Sequence, residues 1–241
     1  MKKLTLTLSA LLFVLVLNAQ EIWLETALKG GGGMSFLMNK NILNDNTYRN
    51  TLSPMYGFGA KVAVNFGAWH GIALEGLFNS SSQKWDYSLP NVTGDLQNEV
   101  KWNSLELYLL YRYIRNRTYI EVGPMYSLIR SVEQTDNEVQ LQDPDPFYED
   151  NYLAGVFGFG GYLGGSETFS VGLGLRVHYG FTDLVSDEGH AEGYPNPIRE
   201  NVYDSQASNN PLVAQLLLEF NFGIGHWAKT SCHERMKFFR N

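Results

Sequence analysis

Apolar and polar residues alternate along most of this chain. In "TFSVGLGLRVHYGF" (residues 168–181), Phe169, Val171, Leu173, Leu175, Val177, Tyr179 and Phe181 fall on one side, and Ser170, Gly172, Gly174, Arg176, His178 and Gly180 on the other. A period of two is that of a β-strand. The run is long beside soluble strands of about five or six residues, and it fits the roughly ten that a tilted strand needs to cross a bilayer. Seven further stretches alternate in the same way: residues 23–38, 55–66, 71–85, 99–114, 119–134, 151–164 and 211–225. Pro124 has no N–H to give a ladder, so it marks a bulge or a local break in pairing within 119–134. The pattern predicts eight strands.

The connections between these strands alternate in length. "GAWHG", "RNRT" and "GGSE" are short, whereas the segments after 23–38, 71–85, 119–134 and 168–181 are long and polar. Short turns at one end and long loops at the other predict an all-β fold, an eight-stranded antiparallel up-and-down transmembrane β-barrel. A soluble calycin-like barrel would bury the apolar face instead. It would not place so many charges beside glycines on the face where a narrow barrel has least room. The apolar residues therefore face lipid. Glu25, Lys29, Lys61, Glu75, Glu106, Arg112, Glu121, Arg176, His178 and Glu219 face the lumen. An unpaired charge there is strongly unfavourable, so these acids and bases are expected to pair as a structural network. The alternative is a gated ion path, although an eight-stranded interior is filled by side chains and leaves no open channel.

The two ends change the picture. "MKKLTLTLSALLFVLVLNAQ" has a basic start, an apolar run from Leu4 to Leu17 and a small residue at Ala19, the pattern of a cleaved secretory signal over residues 1–19. The expected organisation is that signal, a barrel over 20–225 and a short periplasmic tail over 226–241. Loss of Lys2 and Lys3 with the signal takes the net charge from −7 to −9. So acidic a chain is not a nucleic-acid binder. Cys232 is the only cysteine, which excludes an intrachain disulfide and a lipid-bearing cysteine behind the leader. The mean hydropathy of −0.21 excludes a helical membrane protein and says nothing against a barrel, whose alternation hides its hydrophobicity.

The leader end "NAQ", the glycine-broken first strand "LKGGGGMSFL", "YGFGAKVAVNF" before a short turn, and "YIEVGPMYSLI" after "YRYIRNRTY" together resemble the PorT-like outer-membrane β-barrel proteins of Bacteroidota. The resemblance spans nearly all of the mature chain. It implies a porin-like barrel in the outer membrane, with a non-enzymatic scaffold, interaction or secretion-accessory role and no cofactor. The partners it implies are outer-membrane lipids and other envelope or secretion-machinery proteins, with the barrel itself a monomer. Such barrels commonly end on a terminal aromatic, here Phe222, yet "GIGHWAKTSCHERMKFFRN" follows it.

Two other classes compete with this reading. A lipid A-modifying hydrolase or acyltransferase needs a nucleophile, a base and an orienting acid together at the outer rim. Ser170 and His178 share a strand but lie eight residues apart, roughly 26 Å at the usual rise, and cannot be partners. His190 stands in the last loop near Glu188 and Glu192 as a candidate base or metal ligand. His226, Cys232 and His233 have metal-capable side chains at a spacing that matches no zinc pattern. A small passive channel is the other class. The long loops are strongly acidic: residues 133–150 hold seven acids without Lys or Arg, and 183–210 hold six against Arg199. The weak metal candidates there are Asp143, Asp145, Glu149 and Asp150, which could gather calcium or magnesium, although a solvated loop is the simpler expectation.

Overall fold

The computed structural model describes residues 21–51, 53–67, 69–88, 94–165, 168–196, 203 and 205–229. The expected leader over 1–19, and Cys232 and His233 of the tail, lie outside the described residues, as does the side chain of His226. In chain order the elements are β1 (Glu21–Met38), α1 (Lys40–Asn44), β2 (Tyr48–Thr51), β3 (Pro54–Phe66), β4 (His70–Tyr87), β5 (Leu96–Arg115), β6 (Thr118–Asp136) and β7 (Val139–Gln140). A 3₁₀ turn (Asp145–Phe147), β8 (Asn151–Gly165), β9 (Phe169–Gly180), α2 (Asp187–Ala191) and β10 (Asn210–Lys229) follow.

Strands β1, β3, β4, β5, β6, β8, β9 and β10 each pair antiparallel with the next, and β10 pairs with β1. The ring is an eight-stranded up-and-down transmembrane barrel, in which closure satisfies the ladder groups that an open edge would leave bare. The short β2 and β7 add to the upper ends of β4 and β6. Among the described residues, no helix is long and apolar enough to cross a membrane.

Alternation decides which side chain goes where. Leu28, Phe58, Leu74, Leu109, Phe157 and Leu216 are exposed on the outer wall, while Glu25, Lys29, Lys61, Glu75, Arg112 and Glu219, at inward positions, are buried. The short connections follow from turn chemistry. Asn116 and Arg117 both have positive φ, 48° and 69°, between the paired Arg115 and Thr118, the two-residue hairpin whose twist matches its strands. Pro124 acts as the sequence suggests: pairing of β5 with β6 runs to Tyr108 and Met125 and resumes at Tyr111 and Val122. On its other side Pro124 stays in register with Gly155 of β8. The last strand runs past the expected boundary at 225, with Ala228 and Lys229 opposite Ile22 and Glu21.

Three long neighbouring strands turn polar on the outside at their upper ends. β4, β5 and β6 have 18, 20 and 19 residues, about twice the length that spans the hydrocarbon. Their outward residues turn from apolar to polar above Phe78, Leu105 and Leu128, which stand at one level in register. Behind this upper sheet Trp85, Trp102, Tyr108, Tyr148, Tyr152 and Leu184 form a buried cluster. The two long acidic loops are folded onto it. Phe147 stacks on Tyr194 with ring centroids 4.3 Å apart, Tyr148 bridges to Val185, and Asn98 donates to the carbonyl of Pro195 and to Asn196 Oδ1, each at 2.8 Å.

The wall's orientation is testable on β9. Leu175 faces outward near mid-strand, so Leu175→Arg is expected to cost roughly 2 to 4 kcal/mol in vesicles. Gly172 faces inward, and a Cβ there meets only ordinary contacts at 3.6 Å, so Gly172→Ala is expected to cost far less. Equal denaturant midpoints for the two variants would reverse the assignment of faces.

Candidate functional site

All ten lumen residues named from the sequence are buried. Eight of them form one ion-paired network drawn from β1, β3, β4, β5, β6, β9 and β10. Glu219 of β10 is its hub. Lys29 Nζ lies 2.8 Å from it, Arg112 Nη2 2.9 Å and Lys61 Nζ 3.1 Å, and the Tyr119 hydroxyl donates to it at 3.2 Å. Lys29 also reaches Glu75 at 2.8 Å, and Lys61 reaches Glu25 at 2.6 Å and Asn221 Oδ1 at 2.8 Å. Arg176 joins Glu75 at 2.9 Å and Glu121 at 2.6 Å, and Arg112 meets Glu121 at 2.8 Å.

Register accounts for much of this. Lys29 stands opposite Glu219, and Arg112 opposite Glu121, as direct cross-strand neighbours. Lys61 and Glu75 are also opposite in register, yet their side chains turn to other partners. The four carboxylates Glu25, Glu75, Glu121 and Glu219 are matched by Lys29, Lys61, Arg112 and Arg176. No net charge is left in this tier. The faces of two tyrosines complete it, with Arg112 4.1 Å from the Tyr119 ring centroid and Arg176 4.7 Å from that of Tyr108. Room comes from β8: a Cβ on Gly158 would stand 2.7 Å from a Glu121 oxygen.

Glu106 and His178 stand apart from the ion pairs. Glu106 accepts hydrogen bonds from Asn79, Ser104 and the Tyr108 hydroxyl. The His178 ring lies against Tyr108, centroids 6.4 Å apart, and neither of its nitrogens has a hydrogen-bond partner. Ser170 and His178 are both buried, as their inward phase requires. Glu75, Glu121 and Glu219 bring carboxylate oxygens within 4.8 Å of one another, a spacing that a metal could use. Lys29, Arg112 and Arg176 already neutralise those oxygens, so the donor set fits a salt-bridge tier and not a metal seat.

The loop candidates have contacts of their own in the structure. Asp143, Asp145, Glu149 and Asp150 are exposed, and they form no metal-sized group among the described residues. Asp145 instead accepts from the Val132 N–H at 2.7 Å, and the Asp150 carbonyl accepts from Ile129 N–H at 2.8 Å. They tie loop to strand. The His190 ring turns to Asp183, its Nε2 2.8 Å from one carboxylate oxygen, while the other oxygen takes the N–H groups of Val185 and Asn209. The upper aromatic cluster was not read from the sequence, although Trp85 and Trp102 occupy inward positions of the alternation that could have signalled it.

No protein-family model and no curated protein matches the chain. Among solved structures, Neisserial surface protein A aligns with TM-score 0.40 at 10% identity, over 83% of this chain and 96% of that one. The outer membrane protein OprG of Pseudomonas aeruginosa aligns at 0.39 and 13%, over 86% and 97%. The attachment invasion locus protein Ail of Yersinia pestis, solved with the heparin analogue sucrose octasulfate, aligns at 0.36 and 12%, over 83% and 99%. Scores this low lend no functional reading. The architecture rests on the strand register.

Two outcomes follow from this geometry. Arg176→Leu leaves four buried carboxylates to three cations, with Glu75 held by Lys29 and Glu121 by Arg112 alone, and is expected to destabilise the barrel by about 3 to 5 kcal/mol. Unfolding in urea at neutral pH measures it, and a midpoint equal to that of the parent rejects the network's role. The second concerns Asp136, at the upper end of β6 outside the bilayer. Burial raises its carboxyl above the ordinary value, while the Tyr87 hydroxyl, donating to its two oxygens at 2.9 and 3.0 Å, pulls the other way. A raised folded-state value means that the folded protein holds more protons. This group therefore favours the fold in acid and loses that contribution as pH rises from about 4 through the raised value. The stability difference between the parent and Asp136→Asn should accordingly fall with rising pH, and a pH-independent difference rejects the assignment.

Proposed function

We propose that this chain is an integral outer-membrane barrel with a closed lumen, serving as a non-enzymatic scaffold or interaction partner of other envelope proteins, in the manner of PorT-like secretion accessories. The observation that carries the reading is the inverted wall: apolar side chains on the outside of the ring and a charge-balanced network within it. A protein folded in water has no reason to expose that much apolar surface while desolvating eight charges. Export through a leader cleaved after Ala19 belongs to the same proposal.

Two features favour a scaffold over a channel. The ion tier occupies the middle of the barrel, and the aromatic tier, roofed by the loops, fills its upper part. The hydrolase reading lacks an assembled site among the described residues. His178 is sealed inside away from any lipid, and His190 is engaged by Asp183, with Ser186 occupied in capping α2.

Unboiled protein should migrate differently from boiled protein on a denaturing gel, and the refolded barrel should give no steady conductance in planar bilayers. Crosslinking in intact cells, read by mass spectrometry, should attach an envelope protein to the folded loops. Steady conductance would replace the scaffold with a pore, and loss of heat-dependent mobility would remove the membrane barrel itself.

A further inference from the structure

The outer wall is charged on one side only. Outward positions of β1, β3, β8, β9 and β10 carry no Asp, Glu, Lys or Arg among the described side chains. The outward charges of the transmembrane strands all stand on β4, β5 and β6, and those on the loop side form a compact group above Phe78, Leu105 and Leu128. From this one-sided patch we propose that Lys84, Lys101 and Arg130, with Asn103 and Ser131 beside them, form a docking site for the phosphorylated sugar headgroup of an outer-leaflet glycolipid of the lipid A type. The proposal rests on the outer-membrane reading above.

Each residue is placed by backbone geometry. Asn103 pairs in register with Ser131 and donates to its hydroxyl at 3.0 Å; Lys101 is one outward position higher, opposite Ser82. Lys84 stands opposite Glu99 on the next outward row. Arg130 is the extra residue of a β-bulge: register shifts by one between Asn103 and Ser104, which leaves Arg130 unpaired in the ladder and exposed directly above the apolar band. Bulges of this kind re-aim a side chain. With strands about 4.8 Å apart and same-face residues about 7 Å apart, Lys101 lies roughly 8 Å from Lys84 and about 10 Å from Arg130, and the two outer cations stand about 18 Å apart, a span that a bisphosphorylated disaccharide and long side chains can bridge.

The charges are incompletely spent. Lys84 and Lys101 share a single carboxylate, Glu99, at 3.2 and 3.5 Å. Glu133 stands across from Lys101 and makes no ion pair with it, and the Arg130 guanidinium has none among the described residues. A fourth cation, Arg49, is engaged with Asp86 and Asp95. Three cations against the two outward carboxylates Glu99 and Glu133 leave one positive charge on these rows, and the unpaired Arg130 stands lowest, at the height where hydrocarbon gives way to headgroups, where a cation complements phosphate. Arginine and lysine are the side chains that bind it, and amide and hydroxyl groups beside them suit sugar hydroxyls. The turn end of the same sector presents Arg115 to the opposite leaflet, which makes it an internal control.

The test uses the full mature chain in phosphatidylcholine nanodiscs doped with bisphosphorylated lipid A, with dephosphorylated lipid A or with phosphatidylglycerol. Native mass spectrometry counts the retained lipid. The parent is expected to hold bisphosphorylated lipid A in preference to both others. The triple variant Lys84→Gln, Lys101→Gln, Arg130→Gln is expected to lose about tenfold or more of that retention, with heat-dependent gel mobility unchanged, and Arg115→Gln to keep it. Equal retention of all three lipids, or full retention by the triple variant, overturns the proposal. Failure of the parent to show a folded barrel on the gel overturns the membrane reading as well, so the two failures are told apart.

Discussion

Four carboxylates and four cations neutralise one another inside a ring of only eight strands, and the rest of the molecule is arranged around that constraint. Taking one such charge out of water costs several kcal/mol, and attraction to a partner offsets this only when geometry is good and the remaining hydrogen bonds are made. Here Glu219 takes contacts from four strands besides its own, and Lys61 answers to three separate acceptors. Strands are therefore held not only by ladders to their neighbours but by charges reaching across the lumen. That is a reason for the register to be unique, since a slip of one residue would turn every charge of a strand toward lipid.

The interior has two tiers with different physics. The ion tier lies level with the apolar wall. The aromatic tier lies above it, behind the long upper ends of β4, β5 and β6, and is completed by residues from loops remote in sequence. The acidic loops thus have a structural task. Asp145 and Asp183 spend their carboxylates on backbone N–H groups that fasten the loops down, and Phe147 and Tyr194 stack as one lid. A loop surface so fastened suits recognition by another protein better than an unordered acidic tail would.

The wall has two sides. Five strands carry no charged residue on the outside among the described side chains. The other three leave the bilayer as a polar sheet whose outward charges cluster where hydrocarbon ends. Such asymmetry orients a barrel against lipid headgroups on one flank and leaves the opposite flank uniformly soluble in acyl chains.

Alternation alone determined a great deal: the eight strands, their inward and outward faces, the turn and loop ends, and the ten residues of the lumen. Period two is a local property, readable without knowing which strands are neighbours. Pro124 was equally readable, because a missing N–H is a fact of one residue. What alternation does not contain is distance across the barrel. That Lys61 answers to Glu25 and Glu219, although Glu75 is its direct cross-strand neighbour, and that Glu106 and His178 stay outside the pairing, depend on how the strands face each other across the lumen once the ring closes and sets β10 beside β1. The loops show the same limit from the other side. Acid-rich composition predicted solvated segments or a weak metal site. Tertiary packing leaves most of these acids exposed but gives the Asp145 and Asp183 carboxylates backbone donors and stacks Phe147 on Tyr194, and only the folded chain brings those together.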